Sequence, residues 1–146
     1  MHEQDTDKYD CLKLKNQLCF PLYAVSREIL RKYTPFLREL NLTYTQYIVL
    51  MVLWEKKEIT VGELGKMLYL DTGTLSPLLK SMEKSALVCR YRNKDDERIV
   101  QVSITEKGNA LKEKAVEIPE KIGSCLNISV EEAGVLYKLL YKMLEA

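Results

Sequence analysis

TVGELGKMLYLDTGTLSPLLKSMEKSALVCRYR, residues 60–92, decides the fold. Thr60-Val-Gly-Glu63 reads as a helix start, because a threonine hydroxyl can accept a free backbone N–H and a glutamate three residues on can reach back. The helix predicted from it covers Val61–Leu68 and ends in a turn through Tyr69–Asp71. Asp71 or Thr72 then caps a second helix running from about Thr72 to Ser85. Its apolar positions, Leu75, Leu78, Leu79, Met82 and Ala86, fall on one side. Two short helices joined by a tight turn suggest a helix-turn-helix, whose second helix can enter a DNA major groove. The period then changes. Leu87–Arg92 and Ile99–Ile104 alternate as strands around the charged turn Asn93–Arg98, which makes a hairpin in the position of a wing.

Upstream, Thr43-Tyr-Thr-Gln46 is a second capping pattern and opens a largely apolar helix over about Thr45–Lys56. Before it, Leu18, Leu22, Val25, Ile29 and Tyr33 form an apolar stripe on a helix predicted from about Leu12 to Leu40, with Pro21 and Pro35 expected to bend or interrupt it. Downstream, Thr105 caps a helix from Glu106 to Ser124 with a bend at Pro119. Ser129-Val-Glu-Glu132 opens a last helix over Val130–Glu145. Long terminal helices with apolar stripes need covering surface that one small chain does not offer, so both ends are expected to build a dimer interface. The fold expected is mainly α with a small β-hairpin, a winged helix-turn-helix. A flexible tail over 1–11 precedes a single domain over 12–146. Within that domain the winged helix-turn-helix spans about 45–104, and the dimerisation helices span about 12–40 and 106–146.

Composition is that of one globular domain: 146 residues, 47% hydrophobic and 29% charged. No apolar run is long enough for a membrane span, and the start lacks an apolar signal core, so a cytoplasmic protein is expected. A net charge of +1 carries no message about nucleic acid. Its distribution does: between Lys80 and Lys94 lie Lys84, Arg90 and Arg92, with Glu83 as the sole acid. Of the four cysteines, Cys11, Cys19, Cys89 and Cys125, none forms a C-x-x-C pair, and the single histidine is His2. Neither a zinc site nor a structural disulfide is expected, nor any cofactor. The cysteines are then apolar fillers or reactive thiols.

The outward face of the second helix of the motif carries Thr72, Thr74, Ser76, Pro77, Lys80, Ser81 and Lys84. Small hydroxyls let the backbone approach bases and bond base edges or phosphates, and Pro77 suits a thymine methyl. At the wing tip, Arg98 beside Asp96 is a guanidinium fork held ready for a narrow minor groove. Arg90 and Arg92 on the strand leading in suit phosphates. An ordinary solvated amphipathic helix and a surface ion pair are the plainer readings of the same residues.

Asp96-Glu-Arg98, the alternating strand and Thr105-Glu-Lys-Gly108 together resemble the wing signature of the MarR family of winged-helix regulators, with Ile104 where that signature usually has leucine. Asn16-Gln-Leu-Cys-Phe20, Leu42–Tyr47 and Tyr69–Pro77 are similar to that family's organic hydroperoxide resistance branch. The resemblance runs over about Leu12–Pro119. It implies a dimeric DNA-binding regulator, usually a repressor, of a palindromic double-stranded operator. It also implies that Cys19 is the sensing thiol, that Tyr33 and Tyr44 hydrogen-bond its sulfur across the dimer, and that Tyr23 lies near the pocket. Oxidised Cys19 then condenses with a second thiol, either Cys125 or a low-molecular-weight thiol. By residue chemistry alone a buried structural cysteine is the better reading of Cys19, and the Leu18-Cys19-Phe20 context with Tyr33 and Tyr44 reverses it. Apolar Leu18, Phe20 and Leu22 around it favour an organic hydroperoxide, and Tyr23 shares its helix face. Cys89, within a strand, reads as a packing residue. A regulator answering a small aromatic ligand with Cys19 inert is the other reading of the same chain, with a thiol peroxidase or a protein-interaction module further off.

Overall fold

Side-chain caps set the element boundaries in the computed structural model, which describes residues 8–145. Helices α1 (Cys19–Glu39) and α2 (Tyr44–Lys56) are followed by strand β1 (Glu58–Thr60), α3 (Val61–Leu68) and α4 (Thr72–Lys84). Strands β2 (Val88–Arg92) and β3 (Val100–Ile104) lead to α5 (Glu106–Ala115), α6 (Ile118–Gly123) and α7 (Val130–Leu144). At α2 the capping box is complete: the Thr43 hydroxyl accepts the Gln46 N–H, and Gln46 Oε1 accepts the Thr43 N–H at 3.0 Å. Ser129 and Glu132 do the same for α7. At α3 the box is half made, since the Glu63 carboxylate takes the Thr60 hydroxyl rather than its N–H. Asp71 is the residue that caps α4, its Oδ1 accepting the Thr74 N–H at 2.7 Å.

The ends of α1, α3 and α4 share one device. The N–H of Leu42, Leu70 and Leu87 each returns to a carbonyl five residues back, at Leu37, Gly65 and Met82. The preceding residues, Asn41, Tyr69 and Ala86, sit at φ 55, 54 and 58. This is a Schellman-type stop, a conformation that glycine adopts without strain and an alanine or tyrosine does not.

Three expectations are corrected. Helix α1 begins at Cys19, not near Leu12: Asp10–Leu12 and Leu14–Asn16 are isolated 3-10 turns separated by extended Lys13 and Gln17. Pro21 therefore lies in the first turn of α1, where an N–H has no intrahelical acceptor, and it breaks nothing. The helix expected over Glu106–Ser124 is two helices, because Pro119 at the start of α6 cannot donate back to the end of α5. The hairpin is a three-stranded antiparallel sheet in the order β1-β3-β2, with Ile59 opposite Val102 and Arg90 opposite Val102 on the other side. Residues 1–7 of the expected tail lie outside the described residues, and Cys11 sits in the first 3-10 turn.

The core is centred on α2. Val49, Leu50 and Leu53 are fully enclosed by Leu64 of α3, Leu75, Leu79 and Met82 of α4, and Val88 and Val102 of the sheet. The chain after β3 is tied back at one point. The Thr105 hydroxyl caps α5 and also donates to the Ala86 and Leu87 carbonyls at 2.7 and 3.0 Å. The Gly108 carbonyl accepts the Trp54 indole N–H at 3.0 Å. Gly108 must be glycine here, since a Cβ would collide with the Leu87 carbonyl oxygen. Helix α7 contributes no residue to this core, and its Leu136, Tyr137, Leu140, Tyr141 and Leu144 all remain exposed.

Candidate DNA-reading face and thiol site

Helix α4 keeps Leu75, Leu79 and Met82 buried and turns Thr72, Thr74, Ser76, Pro77, Lys80, Ser81 and Lys84 outward, every one of them exposed. Pro77 sits inside the helix on this exposed face. Between α4, the start of α3 and the wing runs an open groove of about 540 Å³, lined by Thr60, Glu63, Thr72, Ser76, Arg90 and Arg98 among others.

The wing tip is built around two residues. Asp96 accepts Arg98 Nε and Nη2, each at 3.0 Å, and also the Arg98 backbone N–H at 3.1 Å. The Arg98 side chain is nevertheless 91% exposed, so the carboxylate fixes its direction without enclosing it. These hydrogen bonds hold the Asp96 carboxyl below the usual aspartate range. Arg92 braces the same turn by donating to the Glu97 carbonyl at 2.8 Å. Arg90 is placed differently from the expectation of a free phosphate contact. Its Nε donates to Glu83 Oε1 of α4 at 2.6 Å, in an ion pair with both side chains roughly two-thirds buried.

Cys19 is the first residue of α1 and is exposed. No side chain caps that helix start and no acid lies in its first turn, so the partial positive charge of the exposed N–H groups is uncompensated there. Leu18 and Phe20 beside it are also exposed, so one chain alone forms no apolar pocket for the thiol. Tyr23, one turn on, is exposed, with Arg27 over its ring and donating to its hydroxyl.

Tyr33 and Tyr44 lie elsewhere. Tyr33 packs edge-on against Tyr44 at 5.0 Å, and both reach the ring of Tyr47, which is 2% exposed and in turn touches Trp54. Burial pushes all three phenols above their ordinary value of 10.0, so they remain protonated donors at neutral pH. Tyr33 is fourteen residues beyond Cys19 on the same helix, about 21 Å along its axis at the helical rise. The cysteine and these tyrosines therefore cannot meet within one chain.

Cys125 is exposed just past α6, its N–H bonded to the Ile122 carbonyl. Helix α6 packs on the far half of α1, where Lys121 lies over the Phe36 ring. Cys89 is not a packing residue: it is exposed on the edge strand β2, opposite Ser103. Among the described residues no group of three or more His, Cys, Asp or Glu could hold a metal, and no helix is long and apolar enough to cross a membrane. Two features escape the sequence reading. Tyr47 and Trp54 share a face of α2 with Tyr44, a spacing open to inspection, whereas the Glu83–Arg90 pair joins a helix to a strand and has no local signal.

Comparison with known proteins identifies the class. The profile of the family described as transcriptional regulator SarA/Rot matches residues 31–115. Reduced AbfR bound to DNA, from Staphylococcus epidermidis, superimposes with a TM-score of 0.76 at 36% identity over 92% of this chain and 94% of that one. The disulfide form of AbfR fits less well, at 0.63 and 38% identity over 94% and 99%. A MarR mutant from E. coli complexed with operator DNA gives 0.82 at 27% identity over 94% and 99%. The chain belongs to the MarR-type winged-helix transcription regulators of the SarA/Rot description, a class of regulator and not of enzyme. Within it, the chain is 50% identical to the organic hydroperoxide resistance transcriptional regulator of Bacillus subtilis (strain 168), over 95% of both chains.

Proposed function

We propose that the chain is a cytoplasmic, homodimeric regulator that binds a palindromic operator and releases it when an organic hydroperoxide oxidises Cys19. The observation that carries the sensing part is the split site: Cys19 starts α1, while Tyr33, fourteen residues further along α1, packs against Tyr44 at the start of α2. In the proposed dimer an antiparallel partner α1 brings each cysteine to the other chain's tyrosines. The exposed apolar residues of α7 and of the segment before α1, including Leu136, Leu140, Leu12 and Leu18, supply the surface such a dimer buries. DNA binding rests on the α4 face and on Arg98, with the two recognition helices about one DNA turn, roughly 34–36 Å, apart. The better fit to the DNA-bound AbfR than to its disulfide form supports a DNA-competent geometry for the chain described here.

In the proposed cycle the Cys19 thiolate attacks the distal peroxide oxygen, the O–O bond breaks and the alkoxide leaves, taking a proton to become the alcohol. Cys19 is then a sulfenic acid. A second thiol attacks its sulfur, an S–S bond forms and water departs. Cys125 of the partner is the reading we favour for that thiol. It lies off α6, which packs on the half of α1 where the partner's Cys19 would arrive. A small cytosolic thiol is the alternative. Either product removes the anion that the tyrosine hydroxyls bond and favours a lobe spacing that does not span both half-sites.

The test uses a labelled duplex selected by the reduced protein from a random pool, and reads fluorescence anisotropy with and without stoichiometric cumene hydroperoxide. Wild type is expected to let go and Cys19→Ser to stay bound. Release of Cys19→Ser by the same treatment would sink the assignment of the sensor.

A further inference from the structure

We infer that Glu83 is a positioning residue for DNA binding, acting through Arg90 to set the wing against the recognition helix. The inference rests on the DNA-binding reading above and concerns a residue that lies outside the groove-facing set.

Three observations carry it. First, Glu83 lies one residue before the last of α4, where the exposed carbonyls make an acid unfavourable, and nothing in the helix itself accounts for it. Second, it is the sole acid in the stretch from Lys80 to Lys94, on a surface whose other charges would attract phosphate. By electrostatics alone it weakens binding to DNA. Third, its carboxylate accepts Arg90 Nε at 2.6 Å, and both side chains are largely buried, 27% exposed for Arg90 and 33% for Glu83. Partial burial makes the pair less screened than a surface one.

The geometry gives that contact a mechanical meaning. Arg90 is the middle residue of β2, directly opposite Val102, which is fully buried on the central strand β3. Joining Arg90 to α4 therefore ties the sheet, and with it the wing tip carrying Arg98, to the helix carrying Thr72 to Lys84. The α4–β2 turn is closed at its other end by the Leu87 to Met82 hydrogen bond. With both ends held, the angle between helix and wing is fixed before DNA arrives, so less ordering remains to be done on binding.

The signs of the two accounts oppose each other, which makes the experiment decisive. Affinity of the reduced full chain for the pool-selected duplex is measured by anisotropy at several salt concentrations for wild type, Glu83→Gln, Arg90→Gln and the double variant, with Lys80→Ala as a phosphate-contact control. Positioning predicts that Glu83→Gln binds about 3- to 10-fold more weakly, the ordering cost of a freed long side chain. Its salt slope should stay at the wild-type value, whereas Lys80→Ala should lower the slope by about 1. The double variant should bind no more weakly than Arg90→Gln, because both changes break the same contact. Glu83→Gln binding as tightly as wild type, or more tightly, overturns the inference, as does simple additivity in the double variant. A wild-type protein that selects no duplex removes the DNA-binding reading itself, and with it this inference.

Discussion

Replacing Gly108 by alanine tests how the wing is anchored to the rest of the chain. A Cβ built there would collide with the Leu87 carbonyl oxygen and would lie 3.0 Å from Ile104 Cγ1 and 3.2 Å from the Leu87 carbonyl carbon. The oxygen cannot retreat freely, because it accepts both the Thr105 N–H at 3.2 Å and the Thr105 hydroxyl at 3.0 Å. Helix α5 cannot retreat freely either, since the Gly108 carbonyl holds the Trp54 indole. With neither neighbour able to yield, the extra volume costs the upper part of the usual overpacking range, about 2–3 kcal/mol. Alanine's better helix propensity returns at most about 1 kcal/mol. The net expectation is a destabilisation of about 1–2 kcal/mol, or a fall in Tm of roughly 3–6 °C for a chain of this length. The assay is thermal unfolding by circular dichroism at one fixed protein concentration, because a dimer's Tm depends on concentration. Gly62→Ala is the control: nothing lies within 4 Å of a Cβ there, so Tm should hold or rise. An unchanged or raised Tm for Gly108→Ala would refute the claim that the Leu87–Thr105–Gly108 contact is rigid.

Ala86→Gly should stabilise the protein by up to about 1 kcal/mol, because Ala86 holds φ 58 at the end of α4, a region costing a non-glycine residue about 1–2 kcal/mol. A chemical melt showing lower stability would refute that account. Burial raises Tyr33, Tyr44 and Tyr47 above 10.0 in the folded chain, so their contribution is fully present below pH 10.0 and lost as pH rises through the folded values. Stability should therefore decline above pH 10, and the decline should be shallower in Tyr47→Phe; equal slopes would argue against burial as its cause. Arg98→Ala should leave Tm near wild type, since the side chain is exposed, while weakening DNA binding about 5-fold or more. Loss of stability with unaltered affinity would reverse the role given to the wing tip.

How far the sequence reaches can be judged residue by residue. The starts of α2, α3, α4, α5 and α7 were legible because each is set by one short side chain bonding an N–H three residues away. The outward set on α4 was legible because a 3.6-residue period separates it from Leu75, Leu79 and Met82. The Asp96–Arg98 fork spans two residues and could be read directly. Strand β1 was not legible: three residues are too few to alternate, and Glu58–Thr60 is a strand only because β3 lies beside it. Nor was the start of α1, since Leu14 and Leu18 continue the apolar stripe although extended Lys13 and Gln17 break the helix.

The sequence by itself determined the capped helix starts, the wing strands, the outward face of α4 and, through its motifs, the family, because those depend on neighbours within a turn or two of backbone. The tertiary structure alone decided that Arg90 is held by Glu83, that Tyr47 and Trp54 lie behind Tyr33 and Tyr44, and that Gly108 must lack a side chain. Each of these depends on atoms that folding brings together from distant parts of the chain, and no local period or cap records such a meeting.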